Sequence, residues 1–381
     1  MNNSEKILTV EKEDFTPQNP LIIAELGTSH NGDMQKAVEM IDAACEAGAR
    51  CVKFQIVYAG EILHPNTGEV PLPGGSIKLY DRFKALELES EFYQKIKEYS
   101  ESKGLLFLCT PFGLKSASIL RGMKPKMVKI ASPELNFTGL LEEITGWGLP
   151  VLLSSGVSRL SDIETAINIL KKNFSANHTS EYERKICLLH CVTAYPAPET
   201  DYNLRVIANL SSIFGVPVGV SDHSLDPQLV PALAVGIGAA AIEKHFCLSR
   251  SDPGLDDPIA LEPEDFSKMV KAVKLAAKDG HEKTIERYSN ERGAKLVERI
   301  LGNGVKELAS SERENYTRTN RSIHALRDIK AGEILKKSDY AVLRTEKILR
   351  PGLEPCYENA IEGRTAKNLI PAGEGIRFED I

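Results

Sequence analysis

From Leu21 to about Lys278 the chain repeats one unit, a short β-branched apolar run followed by an amphipathic stretch of helical period. The runs are LIIAELG (Leu21–Gly27), CVKFQ (Cys51–Gln55), LLFLCT (Leu105–Thr110), MVKIAS (Met127–Ser132), PVLLSSG (Pro150–Gly156), ICLLHCV (Ile186–Val192), PVGVSDHS (Pro217–Ser224) and AAIEKHFC (Ala240–Cys247). Near-continuous apolar strands alternating with helices require a parallel sheet buried on both faces. Eight units in about 260 residues match a (β/α)₈ TIM barrel. A doubly wound open sheet has less support, because no GxGxxG follows the first run.

Polar residues close these runs again and again: Glu25, Lys53 with Gln55, Thr110, Lys129 with Ser132 and Glu134, Ser154 with Ser155, His190, Ser221 with Asp222 and His223, and Glu243 with His245. In this fold the C-terminal strand ends form the mouth of the active site, so the pattern reads as polar groups aimed at one place.

The rhythm stops after Lys278. Four parts are expected: an N-terminal extension (1–20), the barrel (21–280), a helical extension and linker (281–317), and a small β-rich domain (318–381). In the last, DIKAGEIL is echoed by LIPAGEGI, which implies two similar hairpin turns. A domain of about 60 residues is marginal alone and is expected to pack on something.

The net charge of −6 argues against nucleic acid or an anionic membrane as partner. No apolar leader and no membrane-length apolar window are visible, so a cytoplasmic protein is expected. The seven scattered cysteines lack metal-type spacing and read as free thiols in a reducing compartment.

Lys53 and Lys129 stand inside apolar runs, where an ammonium needs a partner. Either each is paired with a core carboxylate, or both serve a phosphate or carboxylate site with hydroxyls from Thr110, Ser132, Ser154 and Ser221. A Schiff-base role for Lys129 competes. His223 and His245 close neighbouring runs and could share a divalent cation, flanked by Asp222, Glu243 and Asp256. His190 and His30 either shape the pocket or satisfy core hydrogen bonds. Glu25 and Glu134 read as proton-handling or hydroxyl-holding groups, or as counter-charges to the lysines.

These words together resemble the sialic acid synthase family, which includes N-acetylneuraminate, legionaminate and pseudaminate synthases. The matching stretches are IIAELGTSHNGD (Ile22–Asp33), VKFQ (Val52–Gln55), TPF (Thr110–Phe112), KIASPE (Lys129–Glu134), LSSG (Leu153–Gly156), HCVTAYP (His190–Pro196), SDHS (Ser221–Ser224) and EKHF (Glu243–Phe246). NRSIHALRDIKAGEIL resembles the family's antifreeze-like (SAF) domain.

The resemblance implies condensation of phosphoenolpyruvate with an N-acylated amino-sugar aldehyde and release of phosphate. It implies Mn²⁺ or Mg²⁺ on His223 and His245. Lys53, Thr110, Lys129, Ser132, Ser154 and Ser221 would hold phosphoenolpyruvate. Glu25, Gln55, Glu134, Tyr195 and Asp256 would border metal and sugar. Arg350, in LRPG, would reach the partner's sugar site in a domain-swapped homodimer. Ser29 before His30, Thr193, Lys244 and the long last helix depart from the family pattern and leave the acceptor sugar open. A Schiff-base pyruvate aldolase using Lys129 and a non-catalytic carbohydrate-binding protein are the rival readings.

Overall fold

A computed structural model describes residues 6–72, 75–177, 181–346 and 348–381. Eight parallel strands form one sheet: β1 (Leu21–Gly27), β2 (Cys51–Ile56), β3 (Leu106–Pro111), β4 (Val128–Ile130), β5 (Val151–Ser154), β6 (Ile186–Cys191), β7 (Val218–Asp222) and β8 (Ala241–His245). Their order is β3-β2-β1-β8-β7-β6-β5-β4, and β3 packs against β4, so the sheet curls into a near-closed barrel. The eight runs expected from the sequence are these strands.

Each strand is followed by a helix: α1 (Met34–Glu46), α2 (Ser90–Ser102), α3 (Leu114–Gly122), α4 (Thr138–Thr145), α5 (Leu160–Ala176), α6 (Val206–Phe214), α7 (Leu229–Gly236) and α8 (Pro263–Tyr288). In α1, Asp33 caps the start by accepting from the amides of Gln35 and Lys36. Its buried face, Ala37, Met40, Ile41 and Ala44, follows the helical period. Helix α8 breaks at Gly280, whose φ of 73° is open to glycine at little cost, and this turns the chain toward α9 (Ala294–Leu301).

Strand residues sort by parity. Val52, Phe54, Ile130, Leu153, Leu188, Val220 and Ile242 face the helices in one apolar cluster. Leu21, Ile23, Cys51, Leu106, Leu108, Met127, Leu152, Cys187, Leu189 and Ala241 fill the lower barrel interior. The N-terminal residues pair as a hairpin, Leu8–Val10 with Glu13–Phe15, and put Leu8, Val10 and Phe15 into that same interior. Residues read only as an extension thus plug the barrel floor, each apolar side chain contributing about 1.5–3 kcal/mol of burial. Gly219 is required across this space, because a Cβ there would stand 2.8 Å from Leu189 Cδ2 and 2.4 Å from Ala241 O.

Beyond α9 the chain follows the barrel rim to the C-terminal domain. Its strands β9 (Arg321–Ala325) and β10 (Tyr340–Arg344) pair antiparallel. The echoed sequence words pair with each other, the Ile329 and Ile370 amides each donating to the other's carbonyl. Their glycines, Gly332 and Gly373, both take positive φ, 87° and 92°. Among the described residues no helix is long and apolar enough to cross a membrane.

Candidate active site

Parity carries upward from the apolar interior into an ionic layer. One step above Ile23, Cys51, Met127 and Ala241 stand Glu25, Lys53, Lys129 and Glu243, all nearly inaccessible. The register sets Lys53 beside Glu25 and Ser221 beside Glu243. Lys53 Nζ lies 2.7 Å from Glu25 Oε2 and 3.9 Å from Glu243 Oε1. Lys129 Nζ donates to Ser154 Oγ at 2.6 Å and lies 3.7 Å from the same Glu243 oxygen. Ser221 Oγ donates to that oxygen as well, at 2.8 Å.

Burial opposes the Glu243 charge, but Lys129 and Lys53 outweigh it and hold the carboxyl at about 2. Burial, reinforced by Lys53, pushes Lys129 below the ordinary lysine range even though Glu243 pulls the other way. Lys53 is burdened by the same burial, yet Glu243 and Glu25 raise it. The Glu243 carboxylate was noticed in the sequence only as a neighbour of the histidines. Counting by two from His245 puts it on the same inward face.

His223 and His245 meet at the mouth with ring centroids 5.4 Å apart. His223 Nδ1 is 2.8 Å from the Val192 carbonyl, so that nitrogen carries the hydrogen and Nε2 keeps its lone pair. Tyr195 stacks on His223 and meets His245 edge-on. Burial holds His245 near 3 and therefore neutral. Burial also disfavours charge on His223, but the Cys191 thiol and Val192 carbonyl prevail and raise it, so a proton competes there with any cation. Among the described residues no three His, Cys, Asp or Glu side chains form a ready cage. What stands there is two imidazoles, with Asp256 Oδ2 3.8 Å from His245 Nδ1.

These groups surround a cavity of about 230 Å³. Of the expected site residues, Glu25, Lys53, Gln55, Lys129, Ser132, Ser154, Tyr195, Ser221, His223, His245 and Asp256 line it. Thr110 does not: it is wholly buried, and its hydroxyl has no hydrogen-bond partner. Glu134 also stands back from the lining, in the turn after β4. Its Oε1 accepts from Arg321 Nε (3.0 Å) and Nη2 (2.8 Å) and from Arg344 Nη2 (2.7 Å).

Arg350 lies away from the cavity. Its guanidinium is spent inside the C-terminal domain on Asp380 and the Gly375 carbonyl. The arginine at the cavity is Arg344, which ends β10 and sits over the Phe112 ring. Arg350 therefore does not line this chain's own cavity, and Arg344, in VLRT, went unread in the sequence. Cys191 and Thr319 also line the cavity and were not singled out for it, and Thr193, noted in the sequence as a departure from the family pattern, lines it too.

Three strand-end groups face the other way, as parity requires. Asp222 and Lys244 form a buried pair at 2.6 Å outside the barrel, so the Lys244 ammonium is turned away from the cavity. His190 Nε2 meets the Tyr202 carbonyl at 2.6 Å. Burial holds His190 near 3, and holds His30 and His324 near 4. These imidazoles bind protons near 6.5 once unfolded, so unfolding takes up protons below that pH. Stability is therefore complete above about 6.5 and declines as pH falls toward 4. Urea midpoints between pH 7.5 and 5 should fall with acidification; a flat series would contradict neutral burial.

The fold and site define a barrel with two imidazoles, two lysines and three acids converging on one mouth. Residues 40–284 match the NeuB family, and residues 320–381 match the SAF domain. The chain belongs to the NeuB family. It is 33% identical over 365 residues to the N,N′-diacetyllegionaminic acid synthase of Legionella pneumophila, covering 94% of each chain. The crystal structure of the Bacillus subtilis spore coat polysaccharide biosynthesis protein SpsE superposes with a TM-score of 0.80 at 30% identity, covering 98% of this chain and 99% of that one. The N-acetylneuraminic acid synthetase of Leptospira borgpetersenii, solved with citrate, gives 0.65 at 32% identity, covering 83% and 96%.

Proposed function

We propose that the chain condenses phosphoenolpyruvate with the open-chain aldehyde of an N-acylated amino sugar, forming a nonulosonic acid and releasing phosphate. The observation that carries this is the Lys53–Glu243–Lys129 cluster beneath the two imidazoles, in a chain whose named relatives include nonulosonic acid synthases.

Lys53 and Lys129 hold the anionic ends of phosphoenolpyruvate, with hydroxyls from Ser132, Ser154 and Ser221 completing the cradle and Thr110 beneath it. C3 of the enol attacks the aldehyde carbon, and the aldehyde oxygen takes the proton that water surrenders through Glu25 in the next step; the C2 hydroxyl formed there passes its own proton to the departing phosphate as the ketone forms. Water adds at C2, giving its proton to Glu25, and the C–O bond to phosphate breaks. Gln55, held to Glu25 at 2.6 Å, and Asp256 face the sugar hydroxyls. Arg344 meets the acyl group, and Tyr195 walls the same end.

Apart from His223, whose proton a bound cation would displace, the resting charges balance: Lys53, Lys129, Arg321 and Arg344 against Glu25, Glu134, Glu243 and Asp256. A multiply charged anion entering this neutral set needs added positive charge. Two imidazoles with open lone pairs fit a divalent ion, Mn²⁺ or Mg²⁺, which would supply that charge and polarise the aldehyde oxygen.

The test is phosphate release from phosphoenolpyruvate with N-acetylmannosamine or with diacetamido-trideoxyhexoses, before and after EDTA. Release should require a sugar, stop with EDTA and return with Mn²⁺. Borohydride trapping of pyruvate on Lys129 would replace this reading with the aldolase. Metal-dependent turnover retained after His223→Ala with His245→Ala would remove the metal assignment.

A further inference from the structure

His223 and His245 stand one residue beyond the last paired rung of β7 and β8, where Asp222 lies opposite Lys244. The two imidazoles are carried by different frames. His245 is still a strand residue, paired with Glu25 of β1, and its carbonyl accepts from Leu261 N at 2.8 Å. His223 has left the sheet. Its amide donates to the Tyr202 hydroxyl at 2.6 Å, its carbonyl accepts from Ala197 N at 3.0 Å, and its Nδ1 meets Val192 O. All three partners belong to the loop after β6.

On the helix-facing side of the sheet one ammonium joins the two frames. Lys244 Nζ donates to Asp222 Oδ2 at 2.6 Å, to Ser224 Oγ at 3.2 Å and to the Ser224 carbonyl. Asp222 and Ser224 flank His223, and Lys244 itself stands between Glu243 and His245. The other Asp222 oxygen accepts from Ser224 N at 2.8 Å, so the loop folds around the same carboxylate. None of the three residues is more than 1% exposed.

A pair this deep is a poor source of stability, because desolvating both ions offsets their attraction. Its effect on geometry is larger, since it carries the tie past the rung where the ladder stops. We infer that Lys244 is a positioning residue for the cation site. By clasping the residues on both sides of His223 it fixes that imidazole against His245, and so sets how tightly the pair binds a divalent ion. The inference rests on the proposed metal role of the two histidines and adds to it a residue that never enters the cavity.

The test uses Co²⁺, which imidazole sites hold more tightly than Mn²⁺ and whose visible absorption reports ligand geometry. The full chain, stripped with EDTA, is titrated with Co²⁺ beside a urea unfolding series. His223→Ala with His245→Ala marks the signal that belongs to this site. Lys244→Met leaves Asp222 charged in a buried place, and should lower both stability and Co²⁺ affinity, the latter by about 10-fold or more. Lys244→Met with Asp222→Asn removes both charges and keeps an oxygen for the Ser224 amide, so its stability should return toward wild type. Its Co²⁺ affinity should stay about 10-fold down, with a shifted absorption band, because the clasp is still open.

Affinity that returns together with stability, or wild-type affinity in a folded Lys244→Met chain, overturns the inference. If Lys244→Met does not fold, the double variant decides alone against wild type, and a double variant that also fails to fold overturns it. Wild-type protein that takes up no Co²⁺ at the histidines removes the metal reading itself, and this inference with it.

Discussion

Lys129→Met should lower kcat/KM for phosphoenolpyruvate by about 10²–10³-fold, the cost of removing one preorganised donor from a developing anion. The Lys129 ammonium stands 2.6 Å from Ser154 Oγ and 3.7 Å from Glu243, nearly buried at the base of the cavity. Without it Glu243 keeps Lys53 and Ser221, so the carboxylate stays ionised, but the pocket carries one charge fewer to receive the anion. Stability should move little or rise, because methionine matches the stem and removes a buried ammonium that burial already destabilises. Steady-state phosphate release and thermal unfolding measure the two sides. A loss of activity matched by a loss of fold would show Lys129 to be a core residue rather than an anion donor. Lys129→Arg should not rescue, since a planar fork cannot replace a point charge in a space packed around one.

Much of this site is legible in the chain, and the boundary of legibility is physical. The eight runs are barrel strands because their composition admits little else, and their polar tips mark the mouth. Which tips meet is decided by a period of two. Glu25, Lys53, Lys129, Ser221, Glu243 and His245 share the inward parity, whereas His190, Asp222 and Lys244 face the helices. A list of strand ends treats both sets alike; counting from the apolar interior separates them. The N-terminal hairpin escaped because three-residue strands are shorter than any periodic window, although Leu8 and Val10 alternate as a strand should. That Arg344 lines the cavity depends on where β10 ends against the rim. Glu134 and Arg344 are 210 residues apart, and no local pattern encodes such a contact.

Glu134→Gln should be the most destabilising single change at the domain seam. The substituted amide would keep the shape and lose the charge, leaving Arg321, fully buried, and Arg344, nearly so, facing each other without a counter-ion. Breaking a buried pair from one side costs about 3–5 kcal/mol. Here the same carboxylate oxygen serves two guanidiniums, so both lose their partner at once. The C-terminal domain should loosen first, because Arg321 is its first strand residue and its other partners are the Glu61, Phe112 and Val342 carbonyls. Limited proteolysis should then cut near residues 313–319 in the variant and spare the wild type. Adding Arg344→Met to Glu134→Gln removes one of the opposed cations and should recover a large part of the stability, a coupling that a double-mutant cycle reads directly. Activity should not recover, since Arg344 lines the cavity and Arg321 does not. Recovery of both together would mean that the two arginines only fasten the domain, and that the sugar end of the cavity has no cation of its own.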